Sequence, residues 1–158
     1  MSAVDEPDLA RLPKIGGISS SKADSGIEIP ETPKIAQNRA TGGVDWVEFV
    51  IHTKPLPKSR PRFANGRAYT PKATRDYEEL LRWHFRAVFS DPFRGDVAVK
   101  IVFMTASRAD VDNLAKAVLD AGNGFLYRDD SQVKALDIRK LKSDREEIRI
   151  IISEMNKV

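Results

Sequence analysis

The chain has 158 residues, 26 Lys+Arg against 23 Asp+Glu, no cysteine, two histidines and 41% hydrophobic content, which fits one ordinary soluble domain. Without cysteine there is no disulfide framework, no thiolate-held zinc or iron-sulfur site and no thiol nucleophile, and two histidines make a His-rich metal site a poor expectation, so only oxygen-ligated metals stay open. No run approaches the roughly 20 apolar residues that span a bilayer, and Met1-Ser2-Ala3-Val4-Asp5-Glu6 has neither the basic start nor the apolar middle of a signal peptide; the expected location is the cytoplasm.

All 12 aromatic residues lie from Trp46 onward, whereas residues 1–44 hold 4 Pro, 5 Gly and 5 Ser. A stretch of that kind buries too little to offset its ordering entropy, so 1–44 is expected to be a flexible leader and 45–158 the folded domain. The leader's 6 acidic and 5 basic groups leave 17 acidic and 21 basic in the remainder, which is therefore +4.

Trp46 to Thr53 (WVEFVIHT) is rich in β-branched and aromatic residues and predicts a strand, stopped by Lys54-Pro55-Leu56-Pro57. Asn65-Gly66, between Arg62-Phe63-Ala64 and Arg67-Ala68-Tyr69, predicts a tight hairpin, because both turn residues accept positive φ. Thr70 and Pro71 suit the start of a helix, and Tyr77, Leu80, Leu81, His84, Phe85 and Val88 recur at spacings of three and four, carrying it to about Phe89. Asp96 to Met104 alternates as a second long strand. Asp112-Asn113 opens a short helix with Leu114, Ala117, Val118 and Ala121 apolar and Gly122 at its stop. Val133–Lys140 and Glu147–Glu154 are two further strands joined by a polar Ser143-Asp144 turn. The expected fold is α+β: a mixed β-sheet with two helices packed on it, in the order β, hairpin, α, β, α, β, β.

Between residues 54 and 72 stand six basic residues, Lys54, Lys58, Arg60, Arg62, Arg67 and Lys72, and no acidic one. A two-residue turn pairs Ala64 with Arg67 and Arg62 with Tyr69, so both arginines and the tyrosine share one hairpin face, with Phe63 and Ala68 expected as an apolar underside that tethers it. Such a face suits phosphate contacts plus stacking. The plainer alternative is a solvated charged loop.

Asp110-Val111-Asp112 lies where strand passes into helix, with Lys116 about one turn beyond Asp112. Asp129-Asp130 directly precedes the strand beginning near Val133. If that strand lies beside the one ending at Met104, the carboxylates gather at one sheet edge, where Mg²⁺ or Mn²⁺ would offset their repulsion. Taken singly, Asp112 reads more readily as a helix cap and Asp129-Asp130 as an ordinary turn. His52 and His84 read as packing or surface residues.

Together, Asp110-Val111-Asp112-Asn113-Leu114-Ala115-Lys116-Ala117-Val118-Leu119-Asp120 followed by Tyr127-Arg128-Asp129-Asp130-Ser131-Gln132-Val133 resembles the RusA family of Holliday junction resolvases. Upstream, Lys54 to Phe63 and Gly66 to Pro71 resemble that family's basic loop. The likeness covers about Val47 to Met155. It implies a Mg²⁺-dependent endonuclease that acts as a homodimer on four-way DNA junctions, nicking two opposed strands in recombination and repair. It also implies metal-binding aspartates at Asp110, Asp112 and Asp130 and a catalytic lysine at Lys116. Rival expectations are a module that binds branched DNA without cutting it, and a nuclease of flaps or other branches.

Overall fold

The computed structural model describes residues 34–38 and 46–155, with side chains for the second stretch. The elements in chain order are β1 (Lys34–Asn38), β2 (Trp46–Ile51), β3 (Arg62–Ala64), β4 (Arg67–Tyr69), α1 (Lys72–Val88), β5 (Val97–Thr105), α2 (Val111–Gly122), a single 3-10 turn (Asp130–Gln132), β6 (Val133–Lys142) and β7 (Glu147–Glu154). This is the expected α+β arrangement of a mixed sheet and two helices. The expected leader falls mostly outside the described residues. Within its span β1 pairs antiparallel with β2, Lys34 opposite Val50 and Asn38 opposite Trp46.

The main sheet runs β1-β2-β7-β5-β6, and β3-β4 form a separate hairpin. All neighbours are antiparallel except β5 and β6, which run parallel with Val97 beside Val133 and Thr105 beside Lys142. A parallel pair needs a crossover, and α2 is that crossover, returning along the sheet between the two strands. Although β6 and β7 are joined by a short polar turn, they do not pair, because β5 lies between them. The connection steps across the end of β5, where the Ser143 N–H donates to the Thr105 carbonyl at 3.3 Å and the Thr105 hydroxyl donates to Glu146 Oε2 at 2.6 Å.

One face of the sheet packs against both helices. Phe49 and Ile51 of β2, Ile148, Ile150 and Ile152 of β7, and Val99, Ile101 and Phe103 of β5 meet Tyr77, Leu81 and Phe85 of α1 and Leu114, Ala117, Val118 and Ala121 of α2. Each large aliphatic or aromatic side chain in this layer contributes roughly 1.5–3 kcal/mol by leaving water. The period of three and four on α1 is therefore the period of its contact with the sheet. On the opposite face the central strand stays buried as well. There Arg149 lies against Glu147 at 3.2 Å and Glu48 at 3.9 Å, charges that interior placement demands be paired.

Helix ends depart from the expected signals in two places. Pro71 occupies the N-cap of α1 and its carbonyl accepts from the Thr74 and Arg75 N–H groups, with no side-chain cap. Gly122 is the last helical residue of α2 rather than the residue that turns the chain, which is Gly124 at φ +82°. Gly122 is small for a packing reason: a Cβ there would meet Leu126 Cδ1 at 3.1 Å and Tyr127 Oη at 3.2 Å.

Candidate active site

β5 is a long strand buried along nearly its whole length, and the chain leaves its end through Ala106–Ala109 before entering α2. This exit is held by local bonds. The Ser107 N–H donates to Thr105 Oγ1 at 3.0 Å, the Ala109 N–H to Ser107 Oγ at 3.1 Å, and Lys140 Nζ reaches across from β6 to the Ala109 carbonyl at 2.6 Å. The next residue, Asp110, is the N-cap of α2, yet its side chain makes no capping bond, and Asp112 stands in the first turn. Both are exposed. Neither carboxylate has a hydrogen-bond or ion-pair partner among the described residues. The cap reading of Asp112 thus fails by position, since the helix has already begun at Val111. Lys116 follows one turn later, exposed and likewise without an ion-pair partner among the described residues.

Asp130 is elsewhere. Because β6 runs parallel to β5, its start lies beside Val97 and not beside Met104, so Asp130 sits at the end of the sheet where β5 begins. The seven residue-to-residue steps from Val133 to Lys140, whose ammonium marks the Asp110 end, span roughly 23 Å at ~3.3 Å per step. Gathering of Asp110, Asp112 and Asp130 at one edge within a single chain is therefore corrected by the strand direction. Among the described residues no group of three or more His, Cys, Asp or Glu side chains is close enough to hold a metal ion together.

The Asp129-Asp130 pair is divided in its work. Asp129 caps the 3-10 turn: its Oδ1 accepts the Ser131 N–H at 3.0 Å, and the Ser131 hydroxyl and N–H beside it hold its carboxyl below the usual carboxylate range. Gln132 completes the box, its Oε1 accepting from the Arg128 and Asp129 N–H groups at 2.7 and 3.0 Å, while its Nε2 donates to the Phe93 and Gly95 carbonyls at 3.1 and 2.7 Å. Asp130 is left exposed on this rigid turn, with no such bond among the described residues. Close by, burial first and then the charges of Asp130 and Asp120 push the Tyr127 hydroxyl up, and that hydroxyl donates to the Leu119 carbonyl at 2.7 Å.

The basic segment divides too. Lys54 and Arg60 are exposed, as are Arg62, Arg67 and Tyr69 on the hairpin, where Arg62 pairs with Tyr69 and Ala64 with Arg67, the register expected from Asn65-Gly66. Lys58 is not a free cation. Its N–H donates to the Asn113 carbonyl at 3.0 Å, and its ammonium lies between Glu78 of α1 and Asp120 of α2, with Asp120 at 3.2 Å. Burial alone would lower the Lys58 pKa, but the two carboxylates outweigh it and raise it above the ordinary lysine value. Lys72 pairs with Asp76 at 2.5 Å on the surface of α1. The Lys58 tie lays the loop along α2 beside Asp112, and sequence reasoning missed it: Glu78 on an otherwise apolar helix face was the available signal. Phe63, expected beneath the hairpin, is 79% exposed.

For a hard divalent cation the donor set at the start of α2 fits in part. Two bare carboxylates are what Mg²⁺ ordinarily takes from a protein, the rest of its octahedron being water and phosphate oxygen.

The family described as Endodeoxyribonuclease RusA matches residues 52–153, and the chain belongs to that family. Among its relatives is YqaN of Bacillus subtilis (strain 168), described as uncharacterized, 26% identical over 141 residues that cover 72% of this chain and 99% of YqaN. Among the described residues no helix is long and apolar enough to cross a membrane.

Proposed function

We propose that this chain is a Mg²⁺-dependent nuclease of branched DNA that resolves four-way junctions by paired nicks in opposed strands, serving recombination and repair as a homodimer. The observation that carries the reading is the pair of carboxylates without a partner among the described residues, Asp110 and Asp112, on a braced helix start in a chain of this family, with Lys116 one turn on. Asp110 and Asp112 would hold the cation, which when bound polarises a phosphoryl oxygen and acidifies water. Lys116 steadies the charge that builds on the phosphate oxygens. Lys54, Arg60, Arg62 and Arg67, with Tyr69, hold the backbone of the arms, so that shape rather than base edges selects the substrate. Lys58 acts from within, fixing the loop to both helices.

The placement of Asp130 supports the homodimer. An acid on a rigid turn, about 20 Å from the pair it is expected to join, serves that pair only if a second copy presents it. A two-fold axis makes the exchange reciprocal, giving two composite sites with the symmetry of a junction that needs two nicks.

The test is cleavage of synthetic four-way, flap, fork and linear DNA by the full chain with and without Mg²⁺. Opposed nicks on the junction, dependent on the cation and largely absent on linear duplex, are expected. Asp112→Asn should lose about 10²–10³-fold in cleavage rate while still binding the junction. Equal cutting of junction and duplex rejects the selectivity, and preference for flaps moves the substrate to other branches. Binding without any product makes the chain a non-cleaving module, and an Asp112→Asn variant that cuts normally removes the site.

A further inference from the structure

On the β3-β4 hairpin, Phe63 stands apart from the arginines and the tyrosine that hold the DNA backbone. All six strand residues of the hairpin are exposed, and Phe63 at 79% is the most exposed large hydrophobic side chain among the described residues. A phenyl ring in water is unfavourable, and the ring is held there by design of the backbone: Asn65 at φ 50° and Gly66 at φ 73° close a tight turn, and Phe63 faces Ala68 across it. Arg62, Tyr69 and Arg67 occupy the opposite face of the same ribbon. The ribbon thus carries cations on one side and a bare aromatic ring on the other, in a segment from 54 to 72 that contains no acidic residue.

We propose that Phe63 is a base-stacking residue for branched DNA: the hairpin enters the opening between arms, Arg62 and Arg67 against the phosphates of one arm and the Phe63 ring against an unstacked base of the other. This inference rests on the branched-DNA reading above and names the residue that gives the branch its advantage. A continuous duplex offers the ribbon a single wall, and a ring can enter its stack only by breaking a step. At a branch point the stack is already interrupted and nucleic acid lies on both sides, so both faces of the ribbon are used at no unstacking cost. The preset turn keeps the ring from being ordered at the moment of binding. The uniformly basic segment favours DNA over a second protein chain as the occupant.

Equilibrium binding of the full chain to a four-way junction and to linear duplex of the same sequence, in Mg²⁺-free buffer, tests this. Phe63→Ala should lose about tenfold in junction affinity and stay within about twofold on duplex, while Phe63→Trp keeps the preference. A 2-aminopurine at the branch should respond to the wild type and to Phe63→Trp but not to Phe63→Ala. An unchanged junction-to-duplex ratio in Phe63→Ala, with a wild type that prefers the junction, overturns the inference alone. A Phe63→Ala chain whose sedimentation shows a changed oligomeric state at an unchanged ratio also overturns it, assigning the ring to a second copy. A wild type that binds both DNAs alike overturns this inference and the branched-DNA reading together.

Discussion

His84 lies on the buried side of α1, 3% exposed, with its Nδ1 unpartnered among the described residues and its ring edge-on to Trp83. Burial first, and the nearby His52 second, lower its pKa from the ordinary 6.5, so the folded chain refuses a proton that the unfolded chain accepts. Stability contributed by the neutral ring is complete above about pH 6.5 and is lost as the pH falls through that value toward the lowered one. His84→Gln removes this linkage. Urea titrations between pH 7.5 and 5 should therefore show the wild-type advantage shrinking on acidification, by at most about 1.4 kcal/mol per pH unit, and parallel curves would reject the assignment. At this scale the sequence was partly legible. It left His84 as packing or surface, and it was the family resemblance that picked Asp110, Asp112 and Asp130; the residues alone do not separate Asp130 from Asp129, because the difference lies in which carboxylate takes the Ser131 N–H.

The ends of α2 show how an element is set by contacts on its neighbours. Gly124 adopts φ +82° with nothing within 4 Å of where a Cβ would sit, and its N–H donates to the Tyr127 carbonyl at 2.7 Å, turning the chain back under the helix. Gly124→Ala should cost about 1–2 kcal/mol through the backbone alone, and Gly124→Asn should recover part of that, since asparagine tolerates the left-handed region. Denaturation midpoints check the order Gly, Asn, Ala; equal midpoints would refute the backbone account. The hairpin register and both helices could be read from sequence because Asn65-Gly66 and the three-four spacing are local signals. Strand neighbours could not. The parallel course of β6 and the insertion of β5 between β6 and β7 follow from pairings between distant residues, and the placement of Asp130 depends on both.

For the whole molecule, the proposed reciprocal dimer makes a prediction that no single-chain site can imitate. Asp112→Asn and Asp130→Asn are each expected to be inactive alone. When the two are mixed and allowed to exchange subunits, a mixed pair contains one site with both substitutions and one with neither, so nicking should return on one strand only. Sites built within one chain would each keep a defect, and the mixture would stay silent. Strand-resolved gels of junction products distinguish the outcomes.

The parallel alignment of β5 and β6 carries a last consequence. If α2 keeps the two halves of the cation site at opposite ends of every polypeptide, a solitary copy has no complete scissile centre to turn on bystander chromosome. Below the concentration at which copies pair, nicking would rise with the square of protein abundance, so scarcity itself would act as the safety catch.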